Sequence, residues 1–122
     1  MPIIEIDAVG LDQSGITHGT VRGIADALGE VMGMGPGKIW VRLRTLPGGA
    51  YAENGTDLEE TPEPVFVRIT RSTVPTGDAL EREIVAATRA VAAALGRREQ
   101  EVHVEVAPSA RGRIAFGGRL SR

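Results

Sequence analysis

Met1-Pro2-Ile3-Ile4-Glu5-Ile6-Asp7-Ala8-Val9 opens the chain, and the way this run is read decides the fold. It is apolar and rich in β-branched residues, which reads as a strand over residues 2–9. A strand this close to the start pins residue 2 at the end of a sheet instead of leaving it on a frayed tail. The same pattern returns 63 residues later, where Ile4 and Ile6 fall on Val67 and Ile69. With that shift Val21, Leu28 and Met32 meet Ile84, Val91 and Leu95, and Gly33 meets Gly96. Ile39, Val41 and Leu43 meet Val102, Val104 and Val106, and Gly49, Ala52 and Gly55 meet Gly112, Ala115 and Gly118. Any one apolar match is common, but glycines and three periodic segments in register mark an internal duplication.

Each half reads strand, helix, strand. Residues 65–71 form the second opening strand. An apolar stripe at Val21, Ile24, Leu28 and Val31 predicts a helix over 20–32, and Leu80, Ile84, Ala87, Val91 and Leu95 predict one over 77–95. Thr20 and Thr76 are the expected N-caps, with Gly33 and Gly96 ending the helices. Period-two alternation then predicts strands over 38–46 and 101–107. A strand–helix–strand unit of this length makes a right-handed parallel pair. The predicted class is therefore α+β: two tandem βαβ units forming a four-stranded sheet with both helices on one face. One domain spans 1–122, with units at 2–54 and 65–122 joined by an acidic, proline-containing linker at 55–64. If Ile39, Val41 and Leu43 face the helices, Trp40, Arg42 and Arg44 point the other way. A sheet covered on one side, with Trp40 and Phe66 on the bare side, invites self-association.

The 122 residues carry a net charge of −2, without the basic excess that nucleic acid or an anionic membrane requires. No apolar stretch reaches the roughly 20 residues that cross a bilayer. The absence of a charged segment followed by an apolar one leads to the expectation of a cytoplasmic protein. With no cysteine there is no disulfide, thiolate or cysteine–metal chemistry. Gly33-Met34-Gly35-Pro36-Gly37-Lys38 is followed by Ile39, where a phosphate loop needs Ser or Thr. His18 and His103 lack ligand spacing, so neither a metal nor a cofactor is expected. No nucleophile elbow accompanies the serines.

Met1-Pro2 opening directly into a strand, a βαβ unit of about sixty residues, and the glycine-rich tail Arg111-Gly112-Arg113-Ile114-Ala115-Phe116-Gly117-Gly118 together resemble the tautomerase superfamily. The resemblance runs along the whole chain, once per half, as in fused 4-oxalocrotonate tautomerases, malonate semialdehyde decarboxylase and cis-3-chloroacrylic acid dehalogenase. Leu46-Pro47-Gly48-Gly49 also resembles the longer members. The resemblance implies an isomerase, working as a homotrimer, that shuttles a proton through an enol or dienol of a small 2-keto acid or unsaturated carboxylate. Two points depart from the family pattern. The loop Gly10-Leu11-Asp12-Gln13-Ser14 has no arginine after the first strand, and Trp40 holds the place of a second family arginine.

Proton transfer beside a carbonyl needs a base that is free near neutral pH and a cation to hold the enolate. Initiator Met is readily removed before Pro, which leaves a secondary amine, whereas an internal prolyl nitrogen such as that of Pro64 is an amide and no base. An α-amino group titrates near ~8, and burial and nearby arginines lower that value. The resemblance thus implies Pro2 as base, with Arg71 and Arg42 as catalytic cations. Arg44, Arg68, Trp40 and Tyr51 are the expected substrate-binding residues. Simpler roles compete: Pro2 as a strand starter, Arg42 and Arg44 as interface salt bridges, Arg71 as a solvated loop residue, and Tyr51 as packing. Hydration, dehalogenation or decarboxylation on the same scaffold is the alternative chemistry, as is non-catalytic ligand binding. Hydration needs a carboxylate to activate water, and the sequence assigns none.

Overall fold

A computed structural model describes all 122 residues. Six strands and two long helices follow in the order β1 (Ile3–Val9), α1 (His18–Met32), β2 (Trp40–Leu46), β3 (Val65–Thr70), α2 (Gly77–Leu95), β4 (Val102–Val106), β5 (Ala115–Phe116) and β6 (Arg119–Leu120). The first four strands form one sheet in the order β2-β1-β3-β4. β1 runs parallel to β2 and β3 parallel to β4, while β1 and β3 meet antiparallel at the centre. These are the two expected βαβ units, joined back to back.

Alternation along the strands makes the core. Ile4, Ile6 and Ala8 of β1 and Val65, Val67 and Ile69 of β3 are buried beneath Ile24 and Leu28 of α1 and Ala87, Val91 and Ala92 of α2. Fully burying each large aliphatic side chain contributes about 1.5–3 kcal/mol. Both helices lie on this face, packed against each other and each against the second strand of its own unit. Gly33 and Gly96 close them with the same left-handed φ of 64°, a conformation that costs a Cβ-bearing residue energy. Neither helix is long and apolar enough to cross a membrane.

One cap differs from the sequence reading. α1 starts at His18 and its N-cap is Thr17, whose hydroxyl accepts from the Thr20 N–H at 3.2 Å. The apolar stripe begins only at Val21, so the first turn, which buries nothing, left no periodic signal. Thr76 does cap α2, by backbone geometry without a side-chain hydrogen bond.

The uncovered face is arranged in rows that cross the strands. One row runs Arg42–Glu5–Arg68–Glu105, and the next runs Arg44–Asp7–Phe66–His103. Glu5 and Arg68, the innermost pair of the first row, are also the positions that the 63-residue repeat equates. The pseudo-twofold axis therefore passes between them. Arg42 and Glu105 are equated in the same way. Each unit thus carries one arginine–glutamate bridge, Arg42–Glu5 at 2.6 Å and Arg68–Glu105, with its polarity reversed between units.

Candidate functional site

Pro2 is completely buried on the helix side of the sheet, and its carbonyl accepts the Trp40 N–H at 3.1 Å. The β1–β3 register pairs Ile3 with Thr70, and one further step sets Pro2 opposite Arg71. Both side chains continue the buried sides of their strands. Arg71 is only 8% exposed. Its two terminal nitrogens donate to the Glu83 carboxylate, Nη1 to Oε1 at 2.8 Å and Nη2 to Oε2, while its Nε has no hydrogen-bond partner. Glu83 lies four and eight residues before Ala87 and Val91. It therefore extends the buried stripe of α2 over the end of the sheet, where the strand offers Arg71 in place of an aliphatic side chain.

The C-terminal tail closes this end. The Ala110 N–H donates to the Arg71 carbonyl at 3.0 Å, and the Ser72 and Ser121 hydroxyls are 2.6 Å apart. The β5–β6 hairpin turns through Gly117 and Gly118, at φ 60° and 83°, values suited to a tight two-residue hairpin turn. It sets Phe116 edge-on to Trp40. The Trp40 indole N–H also donates to the Gly37 carbonyl at 2.9 Å, which fixes the ring.

Of the residues expected from the sequence, Pro2, Trp40 and Arg71 therefore share one end of the sheet. Arg42, Arg44 and Arg68 lie on the uncovered face, each bonded to a carboxylate: Glu5, Asp7 and Glu105. Arg44 and Arg68 border an open depression of about 530 Å³ lined also by Glu5, Asp7, Phe66 and His103 among others. Tyr51 is elsewhere. It packs on Phe66 at 5.8 Å, and Phe66 pairs with Asp7, five residues along β1 from Pro2. At about 3.3 Å per residue that is roughly 17 Å from the Pro2 end. Tyr51 donates to Glu53, which raises the phenol above its usual 10.0. In the loop after β1, Asp12 accepts the Ser14 N–H, which holds its carboxyl below the usual 3.8. That loop presents an anion where the family resemblance leads one to look for an arginine.

The mirrored end of the second unit is closed. The Val9 N–H donates to the Pro64 carbonyl at 3.0 Å, and Arg97 spans the Val9 and Glu63 carbonyls. Sequence reasoning missed Glu83, Glu53 and the Phe116 contact. Glu83 had a usable signal: a carboxylate in register with an otherwise apolar helical stripe.

The architecture matches solved structures over nearly its whole length. A fused 4-OT described as the Q0 wild type symmetric trimer superposes with a TM-score of 0.76 at 15% identity, covering 98% of this chain and 94% of the other. This is the fused 4-OT fold. The same fold relates the chain to N1, a member of the cis-3-chloroacrylic acid dehalogenase family, with a TM-score of 0.76 at 17% identity over 98% of this chain and 83% of that one. It also matches FG41 malonate semialdehyde decarboxylase inhibited by 3-bromopropiolate, with a TM-score of 0.68 at 20% identity over 94% and 88%. No protein-family model matches the sequence. No curated protein matches it either. The fused 4-OT fold thus houses tautomerase, dehalogenase-family and decarboxylase proteins, so the fold narrows the chemistry without selecting one reaction.

Proposed function

We propose that this chain is a tautomerase that moves a proton through the enol or dienol of a small 2-keto acid or unsaturated carboxylate, with Pro2 as base once Met1 is removed. The observation that carries this reading is the burial of Pro2 opposite Arg71, at the sheet end whose other face carries the Trp40–Phe116 pair. Burial disfavours the charged form of the amine, which leaves it free to accept a proton near neutral pH. The Arg71 Nε–H is buried without a partner, and so is a donor not yet used within the subunit.

Assembly belongs to the same proposal. Trp40 and Phe66 are 42% and 39% exposed on the uncovered face, and the similar Q0 protein is described as a trimer. Within one subunit Tyr51 and the uncovered-face arginines lie away from Pro2, so a neighbouring copy has to supply them if they act there. A homotrimer meets that need.

The Tyr51–Glu53 pair favours a second reading, hydration or dehalogenation. It supplies a carboxylate hydrogen-bonded to a phenol, the kind of group that activates water. Turnover of phenylenolpyruvate and 2-hydroxymuconate, set beside 3-chloroacrylate hydrolysis and malonate semialdehyde decarboxylation, separates the readings. Tautomerase activity is expected to dominate and to disappear when Pro2 is acylated. Activity that survives a retained Met1 would place the base elsewhere.

A further inference from the structure

We infer that Glu83 is a positioning residue that sets the protonation state of the Pro2 amine through Arg71; this rests on the reading of Pro2 as a free terminal base. Arg71 and Glu83 are joined by two parallel hydrogen bonds, and their side chains are only 9% and 12% exposed. Nothing in a surface role calls for this. A lone Arg71 under the strand end would serve to depress the amine, yet the fold spends a helix position of the core stripe on cancelling its charge. The bidentate bond also fixes the guanidinium in one plane and occupies both of its terminal nitrogens. Nε is buried without a hydrogen-bond partner.

The consequence is electrostatic. With Glu83 in place the amine faces a nearly neutral pair, so it stays basic enough to take a proton from a carbon acid. Without Glu83 it faces an uncompensated buried cation. Other charged groups toward this end are exposed and better screened: Lys38 ahead of β2, Asp78 in the first turn of α2, Arg82 at the outer rim of the recess beside Glu83, Arg111, which reaches the Thr73 hydroxyl, and the terminal residue Arg122 next to Ser121. None replaces Glu83, the carboxylate bonded to both terminal nitrogens of Arg71.

The test is the titration of the Pro2 amine by nitrogen NMR in [¹⁵N]proline-labelled protein, trimmed with methionine aminopeptidase and confirmed by mass to begin at Pro2. Glu83→Gln keeps the shape and removes the charge, and is expected to lower the titration point by about one pH unit. Arg71→Met leaves the carboxylate alone and is expected to raise it by a similar amount. The shifts have opposite signs, so either folded variant is decisive by itself. The acid limb of the pH–rate profile for phenylenolpyruvate is expected to move with the amine. An unshifted amine in a folded Glu83→Gln protein overturns the role of Glu83 alone. A chain that keeps Met1 under this treatment overturns it together with the reading of Pro2 as base.

Discussion

The Trp40 and Phe116 rings meet edge to face, 84° apart in plane with centroids at 5.3 Å, and so tie the C-terminal hairpin to the strand end that holds Pro2. Such a pair contributes about 0.5–1.5 kcal/mol beyond its buried area. Trp40 is the only tryptophan in the chain, so the indole emission reports the surroundings of this one ring. Phe116→Ala is expected to shift the emission to the red and to loosen the tail. Dilution through the assembly transition is expected to give a red shift of its own, because Trp40 is 42% exposed in the isolated subunit. Fluorescence read beside sedimentation checks both; a concentration-independent spectrum from a monomer would rule out the homotrimer.

Pro2 gives the sharpest chemical prediction. A residue added ahead of it turns the amine into an amide, and activity is expected to fall at least a hundredfold, within the range that a positioned general base contributes. Pro2→Ala keeps a primary amine in place and is expected to retain weak activity. Steady-state kinetics on proteins of verified N-terminal mass separates the two.

The Arg71–Glu83 pair predicts an asymmetry in stability. Arg71→Ala strands a buried carboxylate and is expected to cost about 3–5 kcal/mol, whereas Arg71→Met with Glu83→Met replaces the pair by apolar volume and recovers most of the loss. Urea denaturation of the three proteins measures it. Equal losses in the single and double variants would show that packing, not charge, holds this end.

Tyr51 predicts an alkaline effect. Its folded phenol is raised above 10.0 by the hydrogen bond to Glu53. A raised acid contributes stability that is fully present below the unfolded value, and it is lost as pH climbs through the higher folded value. Tyr51 is the only tyrosine, so tyrosinate absorbance follows it directly. Glu53→Gln is expected to bring the midpoint back toward 10. A midpoint unmoved by that substitution would mean the phenol is not bonded to Glu53 in solution.

The periodicities made the two units legible before any coordinates. Ile4 and Ile6, Val67 and Ile69, and the stripes through Leu28 and Val91 fall where alternation and helical spacing place them. Thr17 escaped because a helical first turn with no buried residue carries no hydrophobic period. The partners of the arginines escaped for a different reason. Glu5 and Asp7 alternate with isoleucine and alanine in plain sight, but pairing them with Arg42 and Arg44 requires the strand register, which lies in contacts between distant segments. Glu83 was hidden by its context. A charge on an apolar stripe reads as a gap until the opposite charge is found beneath it.

The reversed polarity of the two bridges has a consequence for how such a chain can arise. In a dimer of identical single units, the residue on the twofold axis faces its own copy, and either choice of charge there meets its like. Joining two units in one gene removes that constraint. One copy can hold Glu5 and the other Arg68 at the same place, so the self-repelling position becomes a meeting of opposite charges across the seam. The sequence difference between the halves then acts as a key: unit one fits unit two better than it fits itself, and mismatched pairing of like units during folding or assembly is penalised from within the sheet.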